Sequence, residues 1–128
     1  MLASGHPAPS FTESGNLPSV VTLSSGGVLS GTAAGTSGGS YPITITAHNG
    51  IGADATQAFT LTVTQGMAFT SAASATFLIG QINTFNVMTS GFPAASAYST
   101  TSPLPPGVTM SATGVLSGNP AAAMGGTY

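Results

Sequence analysis

Two stretches of the chain, Tyr41–His48 and Phe59–Thr64, alternate strictly between apolar and polar residues. A period of two places successive side chains on opposite faces of an extended strand, so both stretches predict half-buried β-strands. The Asn49–Gly50 pair between them is a strong hairpin signal, although the Ile51–Gly52 pair that follows indicates a loop longer than two residues. One antiparallel hairpin is expected here.

The remaining apolar stretches are short and are bounded by glycine, proline or serine, as is typical of brief strands with tight turns. They predict strands at Val20–Leu23, Val28–Ser30, Ala75–Ile79, Thr84–Thr89, Val108–Ser111 and Val115–Ser117. No stretch shows a helical period that is free of Gly, Pro or β-branched residues. The pattern therefore predicts an all-β fold, in which two antiparallel sheets pack face to face as a sandwich.

The core of this sandwich is expected to consist of the large apolar residues of the strands. In the first half these are Phe11, Leu17, Val21, Leu23, Leu29, Tyr41, Ile43, Ile45, Phe59, Leu61 and Val63. In the second half they are Phe77, Phe85, Val87, Tyr98, Leu104, Val108 and Leu116.

The chain contains an internal repeat. Leu17–Leu23 recurs in outline as Leu104–Met110, and Gly27–Gly31 recurs letter for letter as Gly114–Gly118, 87 positions further along in both cases. Upstream, matching residues lie 86 positions apart, which indicates a one-residue insertion near Ala97. A period of about 86 to 87 residues is a whole small domain, so the sequence predicts tandem domains rather than a solenoid.

This alignment places both chain ends inside a repeat. Met1 aligns with Val87, which lies within a predicted strand, and Tyr128 aligns with Tyr41, which opens one. Residues 1–65 are therefore predicted to be the C-terminal part of one repeat, and residues 66–128 the N-terminal part of the next.

Composition narrows the possible functions. Of the 128 residues only Glu13 and Asp54 carry a formal charge, and Lys and Arg do not occur. Nucleic acid is excluded as a partner because phosphate neutralisation needs Lys or Arg. The absence of cysteine excludes disulfides and thiolate metal sites. The sequence shows no export signal and predicts no membrane span, so we expect any signal to belong to a longer parent chain.

The residues from Leu17 to Val63 resemble the putative Ig domain repeats of bacterial surface proteins, which are related to dystroglycan-type cadherin-like domains. The shared pattern is Leu-Pro-x-x-Val, then Gly-x-Leu-Ser-Gly-Thr-Pro, then Gly-x-Tyr-x-Ile-x-Ile-Thr-Ala-x-Asn-Gly, then Phe-Thr-Leu-Thr-Val. Val20 stands where Gly is usual, Ala33 replaces the Pro, and Asn119 replaces a Thr in the second copy. The resemblance implies an immunoglobulin-like (cadherin-like) sandwich with an extracellular or cell-surface location, and no catalytic residue set.

Catalytic and metal sites are not expected. His48 and Asp54 flank the hairpin turn and, with a serine, would imitate a hydrolase triad, but no nucleophile elbow accompanies them. Calcium is the cofactor that cadherin-like domains suggest, yet Ca²⁺ takes six to eight oxygens, and Asp54 and Glu13 are the only carboxylates. His6 and His48 are expected to face solvent. We therefore predict no catalytic, cofactor-binding or metal-binding residues, and no cofactor.

Two polar features leave alternatives open. Lysine–asparagine isopeptide bonds are excluded because there is no Lys, whereas a Thr–Gln ester at Gln57, Gln65 or Gln81 remains formally possible. Rows of threonine, at positions 44 and 46 and at positions 60, 62 and 64, are expected on the outer faces of neighbouring strands. Such a flat hydroxyl surface could bind carbohydrate or ice, or could simply reflect the preference of exposed strands for Thr.

Three functions remain: a structural repeat of a stalk, fibre or filament; an adhesin or carbohydrate-binding module; and an accessory domain of a secreted enzyme. For the first, we expect self-association. Neither part-repeat buries a full core, and the short linker at residues 64–66 is expected to prevent the two parts from closing on each other. Residues 66–128 of one copy, or covalent neighbours, are then expected to complete residues 1–65 of the next.

Overall fold

The computed structural model describes residues 1–123 and 125–128, and across these residues the fold is all-β, with ten strands and no helix. Every sheet that pairs its strands in a defined register is antiparallel. The chain divides into two units, Met1–Gln65 and Gly66–Tyr128. The predicted all-β, antiparallel class is confirmed.

The first unit contains a three-stranded sheet in the order β1-β4-β5, built from β1 (Ser10–Gly15), β4 (Gly39–His48) and β5 (Ala55–Val63). β4 and β5 form the predicted antiparallel hairpin, with Ile43 opposite Phe59. Six residues separate the two strands, so the loop is longer than a two-residue turn, as predicted. The short strands β2 (Thr22–Leu23) and β3 (Leu29–Ser30) form a second, two-stranded hairpin.

The alternation along β4 determines which residues form the core of the first unit. Ile43 and Ile45 are 5% and 4% exposed, whereas Thr44 between them faces solvent. The other predicted core residues of both units are half-buried, except Val108, which is 7% exposed. The apolar faces are therefore correctly predicted, but only a few side chains are fully covered.

The second unit consists of β6 (Gln65–Phe69), β7 (Asn83–Asn86), β8 (Thr89–Phe92), β9 (Val108–Met110) and β10 (Val115–Gly118). β7, β10 and β9 form a sheet in that order, and β6 pairs with β8. β10 lies in the middle of its sheet and has a strand on each side, with Leu116 opposite both Phe85 and Met110.

Two strand predictions in this unit need correction. Ala75–Ile79 is not a strand, because the Asn83 side chain holds the main chain of Leu78 in a loop, through its Oδ1 (3.0 Å from the amide nitrogen) and its Nδ2 (2.9 Å from the carbonyl oxygen). The predicted strand Thr84–Thr89 is interrupted between β7 and β8, where the carbonyl of Met88 accepts a hydrogen bond from Thr70.

The β2–β3 hairpin of the first unit and the β9–β10 hairpin of the second share the same turn, at positions 87 residues apart. The amide of Ser24 donates to Val28 at 2.9 Å, and the amide of Ser111 donates to Val115 at 2.8 Å. The hydroxyl of each serine also accepts the amide of the same valine, at 3.1 and 3.0 Å. Identical sequence letters thus form identical hydrogen bonds in both units.

The two hairpins differ in length where their sequences differ. β10 is four residues long and β3 only two. Gly107 has φ 88° and accepts a hydrogen bond from the amide of Asn119 at 3.1 Å, whereas its counterpart Val20 holds φ 66° with a β-branched side chain. Such a side chain is strained at positive φ. The β2–β3 ladder is one residue pair shorter than the β9–β10 ladder, and the pair that it lacks lies next to Val20.

Candidate functional site

Each unit leaves part of its apolar interior open. In the second unit a cleft of about 430 Å³ lies beside Phe69, Phe85 and Leu116. In the first unit a smaller cleft of about 180 Å³ is lined by Leu29 and Leu61, among others. A closed sandwich packs its two inner faces against each other without such gaps. These clefts are the places where further strands would fit.

The two units contain different sets of strands. Within the described residues, the first unit has no counterpart of β6 or β7, and the second has none of the β4–β5 hairpin. The counterpart of β1, around Tyr98, keeps one equivalent hydrogen bond: Phe11 donates to Ser25 and Tyr98 to Ala112, both at 2.9 Å. It does not form a strand, because the partner that β1 has in β4 is missing there.

The exposed side of β3 is the clearest open edge. Val28 is 60% exposed, while Val115, the same residue of the same five-letter segment, is half-buried. The difference lies in the neighbouring strand: β10 pairs with both β9 and β7, whereas within the described part of the chain β3 pairs only with β2. An unpaired edge exposes main-chain donors and acceptors that readily accept another strand.

His48 and Asp54 do meet, across the loop between β4 and β5, where Nδ1 of the imidazole contacts the carboxylate. Their side chains are 59% and 45% exposed. Ser10 lies opposite His48 in the β1–β4 ladder, but its hydroxyl donates to the main-chain carbonyl of His48 at 3.3 Å rather than to the ring. The two side chains form a solvent-exposed polar contact at the end of the sheet.

Glu13, considered in the sequence only as a calcium ligand, points inward. It lies on β1, opposite the buried Ile45 of β4. Its Oε2 is buried and has no hydrogen-bond partner among the described residues. A buried carboxylate oxygen normally has a donor. The alternation of Phe11 and Glu13 along β1 is the signal that could have placed this side chain on the inner face.

The other polar candidates lie apart. His6 is exposed, and Gln65 accepts the amide of Gly38 at 3.2 Å. Gln57 is exposed on β5 opposite Ile45, and Gln81 uses its main-chain carbonyl to accept from an asparagine side chain. No three His, Asp or Glu side chains within residues 1–123 and 125–128 are grouped closely enough to hold a metal ion.

The outer face of the β1-β4-β5 sheet carries a wide array of hydroxyl groups, as the threonine rows predicted. Thr46 lies between Thr12 on β1 and Thr56 on β5, so the array extends over three strands. We call this surface the hydroxyl face; it consists of Thr12, Ser14, Thr44, Thr46, Thr56, Thr60 and Thr62. Thr64 lies beyond the end of β5.

Among the described residues there is no helix of the length and hydropathy that a membrane crossing requires.

Comparison with known proteins identifies the first unit. No curated protein matches the chain. The family model described as "Putative Ig domain" matches residues 3–64, nearly the whole of the first unit. The antiparallel sheets agree with the immunoglobulin-like sandwich that the resemblance implied. Residues 3–64 of the chain therefore belong to the Putative Ig domain family.

Proposed function

We propose that the chain is a structural segment of an extracellular or cell-surface stalk, fibre or filament, built from tandem Ig-like repeats that complete one another head to tail. The observation that carries this proposal is the complementary set of strands. Both units contain the same short hairpin, yet the first adds the β4–β5 hairpin and the second adds β6 and β7. A neighbouring repeat at each end would supply what each unit lacks.

The composition supports this role. Only two residues are charged and none is Lys or Arg, so the surface is made of hydroxyl, amide and main-chain groups that give little repulsion between neighbours. An array of this composition also offers trypsin-like proteases nothing to cleave, which suits an extracellular setting. We propose that location for the chain.

Self-association of the purified chain tests the proposal. Size-exclusion chromatography with light scattering is expected to show assemblies whose mass grows with concentration, because the open edges pair between molecules. A dye that binds exposed apolar clefts should bind to the chain at low concentration and be released as the assemblies form. A stable monomer that does not bind the dye would overturn the proposal.

The hydroxyl face supports a second candidate, a carbohydrate-binding or adhesive module. Its hydroxyl groups form regular rows at the spacing of neighbouring strands, and exposed Thr44 is near its centre. A glycan array probed with the intact chain and with a Thr44→Val, Thr46→Val variant separates the two functions. Binding that the variant loses would favour the adhesin, and an array without signal would favour the structural role.

A further inference from the structure

Among the described residues the free edge of β3 has no neighbouring strand, whereas the equivalent edge of β10 is paired with β7. Gly27–Gly31 and Gly114–Gly118 have the same sequence, and each hairpin closes through the same turn. In the second unit β7 covers this edge, with Phe85 opposite Leu116 and Thr84 opposite Ser117. The second unit therefore shows which kind of strand this sequence accepts, and in which register.

The start of the chain already occupies one position of that ladder. The amino group of Met1 donates to the carbonyl of Gly27 at 2.9 Å, and the amide of Val87 donates to the carbonyl of Gly114 at 2.8 Å. Met1 thus takes the place in the first unit that Val87 takes in the second, directly after β7. A segment joined ahead of Met1 would run antiparallel along β3.

Main-chain donors on β3 face this position. The carbonyl of Val28 points toward β2, since it accepts from Ser24 at 2.9 Å. Because hydrogen-bonding directions alternate along a strand, the amides of Leu29 and Gly31 point the other way, toward the free edge. These two amides are the donors that an incoming strand would use.

The cleft beside the edge is matched to an apolar side chain. Leu29, Leu61 and Val63 line the cleft of about 180 Å³ in the first unit. In the second unit the side chain opposite the corresponding leucine is Phe85, which is half-buried there. An aromatic side chain entering at this register would bury a large apolar area against Leu29.

We infer that the free edge of β3 is an acceptor site for one extended segment with the pattern of β7, polar-polar-Phe-polar, supplied in cis by the part of the same repeat that the alignment places immediately ahead of Met1. The inference rests on the proposed array of repeats and names the strand, the edge and the register that complete the repeat to which residues 1–65 belong. The aromatic residue faces Leu29, and the polar residues on either side of it stay exposed.

The test joins the sequence of Asn83–Asn86 directly to the amino end of the whole chain. Amide exchange measured by NMR is expected to slow at least tenfold at Leu29 and Gly31, because both amides gain strand partners. The matched control carries one glycine between the graft and Met1. A one-residue slip turns the aromatic side chain to the solvent face, so this control is expected to leave exchange close to that of the unmodified chain.

Three results would overturn the inference. The in-register graft could leave both amides unprotected, or the slipped graft could protect them equally. Alternatively, Leu29 and Gly31 could already be protected in the unmodified chain and lose protection on dilution, which would assign the edge to a second copy. None of these results bears on the open cleft of the second unit, so a failed graft and a failed array proposal remain distinguishable.

Discussion

Replacing Val20 by glycine is expected to stabilise the first unit, although the change removes an apolar side chain. Val20 holds φ 66°, a region that disfavours β-branched residues by about 1–2 kcal/mol. Its side chain is 67% exposed, so its loss removes only about 0.5–1 kcal/mol of apolar burial. The greater freedom of glycine in the unfolded chain costs about 0.5–1 kcal/mol more.

Hydrogen bonds decide the sign of this balance. In the second unit the carbonyls of Gly107 and Pro106 accept amides from Asn119 and Ala121, both at 3.1 Å. If Val20→Gly lets the first unit form the equivalent pair, each bond contributes about 1 kcal/mol. The net expectation is a gain of about 2 kcal/mol in the free energy of unfolding, and lengthening of β3.

Two comparison variants make the reasoning refutable. Val20→Ala keeps a Cβ at positive φ, so it is expected to gain much less than Val20→Gly. Gly107→Val, the reverse change, is expected to destabilise the second unit, because a Cβ at that position would overlap the carbonyl oxygen of Asn119. Native-state hydrogen exchange of peptic peptides reports each unit separately. Faster or unchanged exchange across residues 18–31 in Val20→Gly would refute the account.

Three further changes have clear expectations. Glu13→Met is expected to raise the free energy of unfolding by about 1–2 kcal/mol, because it removes a buried oxygen that has no donor among the described residues, and Glu13→Gln is expected to gain less. Urea denaturation followed by circular dichroism measures both variants. A loss of stability in Glu13→Met would contradict the inward placement of this side chain. Asp54→Asn weakens the exposed contact between His48 and Asp54 and should change stability by less than about 0.5 kcal/mol in the same assay, whereas a larger loss would indicate a structural role for this contact. Gly118 has φ 150°, and a Cβ at this position would overlap the carbonyl oxygen of Gly107. Gly118→Ala should therefore lower the free energy of unfolding by about 2–3 kcal/mol. An unchanged midpoint of thermal unfolding would rule out this close approach.

The parts of the fold that the sequence predicted are those with local signals. The β4–β5 hairpin combines strict alternation with an Asn-Gly turn, and the repeated Gly-Val-Leu-Ser-Gly segment forms the same short hairpin twice. Alternation also predicted the outward threonines, because a strand with Ile43 and Ile45 inside must place Thr44 outside. In each case the chemistry of neighbouring residues was sufficient.

The parts that were missed depend on distant partners. Ala75–Ile79 is apolar enough for a strand, but pairing requires a neighbour, and the Asn83 side chain satisfies part of its main chain instead. The strain at Val20 was visible in the sequence only as a departure from the family pattern, and its positive φ needed coordinates.

Site prediction follows the same division. His48 and Asp54 meet because they flank one loop, which the sequence shows directly. The inward carboxylate of Glu13 and the free edge of β3 depend on which strands lie next to each other, and no single stretch of residues reveals this.

The most direct test of the repeat account completes the second unit with the chain's own sequence. In the repeat alignment Tyr128 corresponds to Tyr41, so joining the sequence of residues 42–65 after Tyr128 would supply a β4–β5 hairpin in register. The control carries the same extension with asparagine in place of both buried isoleucines of β4. Amide exchange around Tyr98, the counterpart of β1, and dye binding to the open cleft are measured on both. The account predicts that the extension slows exchange and abolishes dye binding while the control does neither; equal behaviour of the two extended chains would contradict it.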